Sequence, residues 1–108
     1  NFAAEDVTER YMQLARRWYA TAGIPENTQR ILIDLQPRPE IAPAVEIINE
    51  NGEVISSGQL PTSRHDMRYM TRLTMPRTGN HYLRLPGSAE HTPIRQTAAP
   101  AQILRVNL

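Results

Sequence analysis

Residues 45–57 read VEIINENGEVISS, and no other stretch limits the possible folds as much. Two short apolar runs flank Asn51-Gly52, the dipeptide that most readily supplies the left-handed backbone of a hairpin turn. A two-residue turn would set Ile48 opposite Ile55 and Asn49 opposite Val54. A three-residue loop, Glu50-Asn51-Gly52 with Gly52 as the bulge, sets Ile48 opposite Val54 and Ile47 opposite Ile55. The second choice pairs apolar with apolar twice and is the expected one. A slip of one residue would turn the wrong face inward.

The neighbouring segments repeat this grammar, so that residues 44–85 hold four apolar runs separated by turn signals. Gln29 to Leu35 reads as a strand, with Ile31, Ile33 and Leu35 alternating against Arg30, Leu32 and Asp34. Pro37, Pro39 and Pro43 make the next residues a connector or an edge, because proline has no ladder N–H. Gly58 to Asp66 reads as a loop. Met67 to Met75 is the next expected strand, ended by Pro76. His81 to Leu85 follows after the Arg77-Thr78-Gly79-Asn80 turn, and Pro86-Gly87 stops it. Gly87 to Gln102 is polar, holds two prolines and reads as a loop. A structureless loop of that length in a small domain is either functional or pinned by a partner. Ile103 to Leu108 closes the chain as a strand, with Leu104, Val106 and Leu108 on one face.

Only the N-terminus shows a helical period. Val7, Tyr11, Leu14 and Trp18 form one stripe over Asp6–Ala22. Asp6 is placed to cap the helix, with Glu9 completing a capping box. Gly23 and Pro25 end it. The stripe would cover one side or end of the β domain, or dock on a neighbouring subunit with Tyr11 and Trp18 as anchors. The expected fold is therefore mainly β: a single domain over residues 1–108, with helix 6–22 and a small antiparallel β-sandwich of about six strands over residues 29–108.

Length and composition agree with one small folded domain. With no cysteine there is neither a disulfide framework nor a thiolate metal site. No apolar run approaches the roughly 18 residues of a membrane span. The chain begins at Asn1 rather than Met, as a processed product or a fragment would. All twelve basic residues are arginine, a pattern that coding bias or selection for planar guanidinium contacts would give. Charge is unevenly spread. Residues 1–60 hold nine acids and five arginines (−4), whereas residues 61–108 hold two acids and seven arginines (+5). Either the two halves neutralise each other in one packed domain, or the second half shows a basic face to an anionic partner.

Residues 30–35 (RILIDL), 45–57 (VEIINENGEVISS) and 70–85 (MTRLTMPRTGNHYLRL) together follow a further pattern. An alternating strand, an x-N-G hairpin, and a Gly turn leading into Gly79, Tyr82, Leu83, Arg84 and Leu85 come in that order. In this, residues 29–85 resemble the pre-peptidase C-terminal type of β-sandwich appended to secreted bacterial enzymes. The resemblance implies a non-catalytic accessory module. Two features depart from it: Ala44 and Val45 stand where such modules often carry an acidic pair, and the N-terminal helix and last strand lie outside the pattern. A calcium or ligand role resting on those acids is not carried over.

Candidate chemistry is sparse. His65, His81 and His91 lack the paired spacing of metal ligands. His81 shares a strand face with Leu83 and Leu85, as a core histidine would. The serines sit in turn-like contexts, and Glu50 and Glu53 flank a hairpin turn that points them to water. No cofactor, metal or catalytic group is expected. The arginines are the best lead. Arg68 and Arg72 share a strand face, and Arg64 and Arg84 join them if Met67–Met75 pairs with His81–Leu85. Tyr82 lies on the face of Arg84 as a stacking platform. Such guanidinium groups hold carboxylate, sulfate or phosphate: the face is either solvated or paired with acids of the first half, or it takes an anionic ligand. Too few aromatics interleave with them for nucleic acid.

The expected function is a non-catalytic interaction or structural module of a secreted or surface protein, meeting a protein partner or neighbouring subunits. The alternative is a structural subunit of a large assembly such as a virion, appendage or secretion machine. The expected setting is accordingly extracellular, periplasmic or assembly-associated.

Overall fold

The computed structural model describes residues 3–10, 24–36, 43–59, 71–85 and 88–107. Its strands are β1 (Ala3–Asp6), β2 (Thr28–Gln36), β3 (Ala44–Asn49), β4 (Val54–Gln59), β5 (Thr71–Pro76), β6 (His81–Arg84), β7 (His91–Ile94) and β8 (Ala101–Asn107). They form two four-stranded sheets, ordered β1-β8-β2-β5 and β4-β3-β6-β7. Period-2 alternation decides what lies between them. The first sheet turns Ile31, Ile33, Leu35, Leu73, Met75, Leu104 and Val106 inward, and the second turns Val45, Ile47, Leu83 and Ile94 to meet them in one buried cluster. Along one side the edge strands β4 and β5 run together, where the Thr74 N–H donates to the Ser56 hydroxyl at 3.3 Å.

The Asn51-Gly52 turn takes the longer of the two expected forms. Gly52 has φ 79°. The Asn49 N–H donates to the Glu53 carbonyl, and the Gly52 N–H to the Asn49 carbonyl, both at 3.0 Å. Asn49 also uses its side chain, whose Oδ1 accepts the N–H groups of Asn51 and Glu53, each at 2.9 Å. Ile48 faces Val54 as expected, but the next pair is Ile47 with Ser56, not with Ile55. Ile55 is the extra residue of a bulge. This shift sets Ser56 opposite the core residue Ile47, on the seam where it meets β5. It leaves Val54 and Ile55 50% and 40% exposed.

Several other expectations are corrected. Among the described residues there are eight strands where about six were expected, because β1 and β7 are both present. The sandwich is not antiparallel throughout: β2 and β8 pair in parallel, Ile33 beside Leu104. The segment 87–102 is not one loop, since β7 lies within it and β8 begins at Ala101. Most consequentially, β5 pairs with β2 in the first sheet, while β6 pairs with β3 and β7 in the second. The short turn at residues 77–80 therefore crosses between sheets. β5 places Leu73 and Met75 beside Ile31 and Gln29, whereas β6 brings Leu83 to Ile47, so each strand completes a different half of the core.

At the N-terminus, residues 8–10 are helical. Asp6 caps them as expected: its Oδ1 accepts the Thr8 N–H at 2.9 Å and also the Thr8 hydroxyl. The segment is tied to β8 by the Val7 N–H donating to the Ile103 carbonyl at 3.0 Å and the Ile103 N–H donating to the Thr8 hydroxyl at 2.7 Å. The remainder of the expected helix, with Tyr11, Leu14 and Trp18, lies outside the described residues.

One end of the core is polar. The side-chain amide of Gln102 donates to Gln29 Oε1 at 3.1 Å, that of Gln29 to Gln96 Oε1 at 2.8 Å, and that of Gln96 to the Pro76 and Gly79 carbonyls at 3.0 and 3.3 Å. The loops above this relay are pinned by Arg77, whose guanidinium donates to the carbonyls of Glu26, Thr97 and Ala99 at 3.1–3.3 Å. The chain itself thus holds the polar segment before β8.

Candidate functional site

Tyr82 and Arg84 stand on β6 and point away from the core, as half-buried residues alternating with the buried His81 and Leu83. Strand order supplies their neighbours. Across the second sheet, Val54 on β4 lies opposite Ile48 on β3, Ile48 opposite Tyr82, and Tyr82 opposite Pro93 on β7. This is one cross-strand row on the outer face, apolar from edge to edge. The next row is polar: Ser57, Glu46, Arg84 and His91 face each other in turn. Cross-strand neighbours on one face are close enough to act as a unit.

The rows interlock. Arg84 meets Glu46 through both Nη2, at 2.7 Å, and Nε, at 2.8 Å, with Glu46 side chain only 15% exposed. The His91 ring stands edge-on to Tyr82 with centroids 5.0 Å apart, inside the range of favourable aromatic contacts. Ile48 keeps 4% exposure although it faces outward, so it forms the floor of the apolar row. Val54 and Pro93 at the two ends are exposed. The outer face therefore carries an apolar row, exposed at its two ends, bordered by the Glu46–Arg84 ion pair.

The pairing of Met67–Met75 with His81–Leu85 that would bring Arg84 to Arg72 does not form among the described residues. Arg72 falls on β5 and Arg84 on β6, in different sheets. Arg64 and Arg68, like Tyr11 and Trp18, lie outside the described residues. Of the expected contact residues, the structure places Tyr82 and Arg84 together. It adds Ile48, Val54, Pro93, His91 and Glu46, which sequence reasoning did not assign to a site. The hairpin register contained the Ile48–Val54 part of this row. Pro93 and His91 carried no such signal, because their strand reads as a loop.

Among the described residues, part of the uneven charge is paired within the molecule. Glu46–Arg84, Asp6–Arg95 at 3.1 Å, Asp34–Arg105 at 3.6 Å and Glu5–Arg105 at 4.0 Å each join an acid of residues 1–60 to an arginine of residues 61–108. Glu46 already partly neutralises Arg84 against an approaching anion.

Among the described residues, no three His, Asp or Glu side chains gather closely enough to hold a metal ion, and no helix is long and apolar enough to cross a membrane. His81 is 6% exposed on the core face, and its Nδ1 has no hydrogen-bond partner among the described residues. An open hollow lies beside Asp6, Val7, Glu9 and Arg10, with charges of both signs on its wall. Comparison with protein-family models, with curated proteins and with solved structures finds no match for the chain.

Proposed function

We propose that this protein is a non-catalytic interaction module that meets a protein partner, a neighbouring domain or subunit, through the outer face of its second sheet. The observation that carries this reading is the row Val54–Ile48–Tyr82–Pro93, apolar across all four strands. Covering the half-exposed Val54 and Ile55 would contribute about 1 kcal/mol each. Two such residues do not offset the cost of association alone, so the contact must extend along the row, with Tyr82 as its central aromatic. The closed Glu46–Arg84 pair favours an uncharged, apolar partner surface over an anionic ligand held by the arginines.

The reading includes the accessory role implied by the resemblance of residues 29–85 to sandwiches appended to secreted enzymes. Burial of the same strip by neighbouring subunits is what the alternative, a structural subunit of a virion, appendage or secretion machine, would require. Val54 and Ile55 are the observation favouring it, being large apolar side chains left open beside the hairpin turn.

Hydroxyl-radical footprinting of the chain alone and within the complex recovered from its source tests the proposal. Tyr82 and His91 are expected to lose reactivity in the complex. Equal reactivity in the two states would remove the second sheet as a contact face. A hydrolase screen is expected to give no turnover.

A further inference from the structure

Asn51-Gly52 has a chemical property that the fold both exposes and restrains. When glycine follows asparagine, the glycine amide nitrogen can attack the asparagine Cγ. The Cγ–Nδ2 bond breaks, ammonia leaves with the amide proton, and a five-membered succinimide forms. Water then opens either carbonyl and yields aspartate or isoaspartate. The balance is one water consumed and one ammonia released, with no other reactant. The reaction requires solvent access, room around the glycine and a free glycine nitrogen.

The first two conditions are met. Asn51 and Gly52 are both exposed at the tip of the hairpin, and apart from the glycine and its two chain neighbours no heavy atom stands within 4 Å of the position a Gly52 Cβ would occupy. The third is not met while the turn is closed. The Gly52 N–H is donated to the Asn49 carbonyl at 3.0 Å. Asn49 Oδ1 fixes both sides of the loop by accepting from Asn51 and Glu53. We propose that Asn51 is a latent deamidation site, held unreactive by the Asn49-centred turn and released when that turn opens.

The consequences are local and specific. Either product adds a carboxylate between Glu50 and Glu53, where like charges repel. The isoaspartyl product also inserts a carbon into the backbone of a three-residue loop whose length sets the Asn49–Glu53 closure. β4 would then lose its register against β3, and with it the Val54–Ile48 contact.

The test ages the full chain in mildly alkaline buffer and follows isoaspartate at Asn51 by peptide mapping and isoaspartyl-methyltransferase labelling. Native protein is expected to convert slowly, and the same chain in denaturant at least about tenfold faster. Asn49→Ala, folded by circular dichroism, should convert roughly tenfold faster than native, the factor for losing one or two net hydrogen bonds. Asn51→Gln should abolish the product and so assign the site. No isoaspartate at Asn51 in denaturant, equal rates in native and denatured chains, or a folded Asn49→Ala variant reacting at the native rate would each overturn the proposal. Should Asn49→Ala fail to fold, the native-against-denatured comparison decides alone.

Discussion

Arg77 holds more of the molecule together than its position in a four-residue turn suggests. Its guanidinium reaches the carbonyls of Glu26, Thr97 and Ala99, and its own N–H donates to the Asn27 carbonyl at 3.0 Å. A planar fork of donors suits several carbonyls at once, which a point-charged ammonium does not. Arg77→Met, which keeps the apolar stem, should lower unfolding free energy by about 1–3 kcal/mol in urea titration, and Arg77→Lys should recover little of it. Full recovery by lysine would show that charge rather than geometry matters there. The glutamine relay beneath is of the same kind: Gln29 is fully buried, Gln102 is 1% exposed, and each finds its partner in a segment distant in sequence. Nothing in the local sequence marks an isolated Gln29 or Arg77 as a clamp, because the carbonyls they serve are assembled only by the fold.

At the scale of elements, the hairpin turn and the strand interiors make opposite demands. Gly52 sits at φ 79° with open space around it. Gly52→Ala should therefore cost about 1–2 kcal/mol from backbone conformation alone, and Gly52→Asn less, which thermal melts can rank. In β8, Leu104 is 4% exposed within the shared core. Leu104→Ala should cost about 2–5 kcal/mol, whereas Val54→Ser, at 50% exposure, should stay within about 0.5 kcal/mol. Similar losses at both sites would mean that Val54 is buried in the isolated chain. The same contrast explains which elements could be read in advance. β2, β3, β6 and β8 are central strands with an inward face to fill, so their alternation was visible. β1 and β7 are sheet edges, as are β4 and β5, but β1 and β7 lack the apolar runs that made the other two legible. Charged Glu5 and Asp6 in one, and His91 and Pro93 in the other, satisfy an edge but give no apolar period. The bulge at Ile55 escaped for a related reason: local pairing favoured apolar against apolar, while contact with β5, distant in sequence, favoured Ser56.

For the whole molecule, the decisive fact is how the two halves of the chain are interleaved. The parallel β2–β8 pair joins an early strand to the last one, and β3 carries acidic Glu46 to Arg84 on β6. Glu46–Arg84 and three further acid–arginine pairs join the acidic first half of the chain to its basic second half, one of the two outcomes that the composition left open, and the outer face of the second sheet carries an apolar row beside one of these pairs. That row exists only if β6 lies between β3 and β7. Cross-strand NMR contacts on the free chain test this arrangement most directly. Backbone and side-chain contacts are predicted from Tyr82 to Ile48 and to Pro93, along with Ile48 to Val54. Contacts from Tyr82 to Thr74 or Met75, as in a simple β5–β6 hairpin, would dissolve the row and contradict the account.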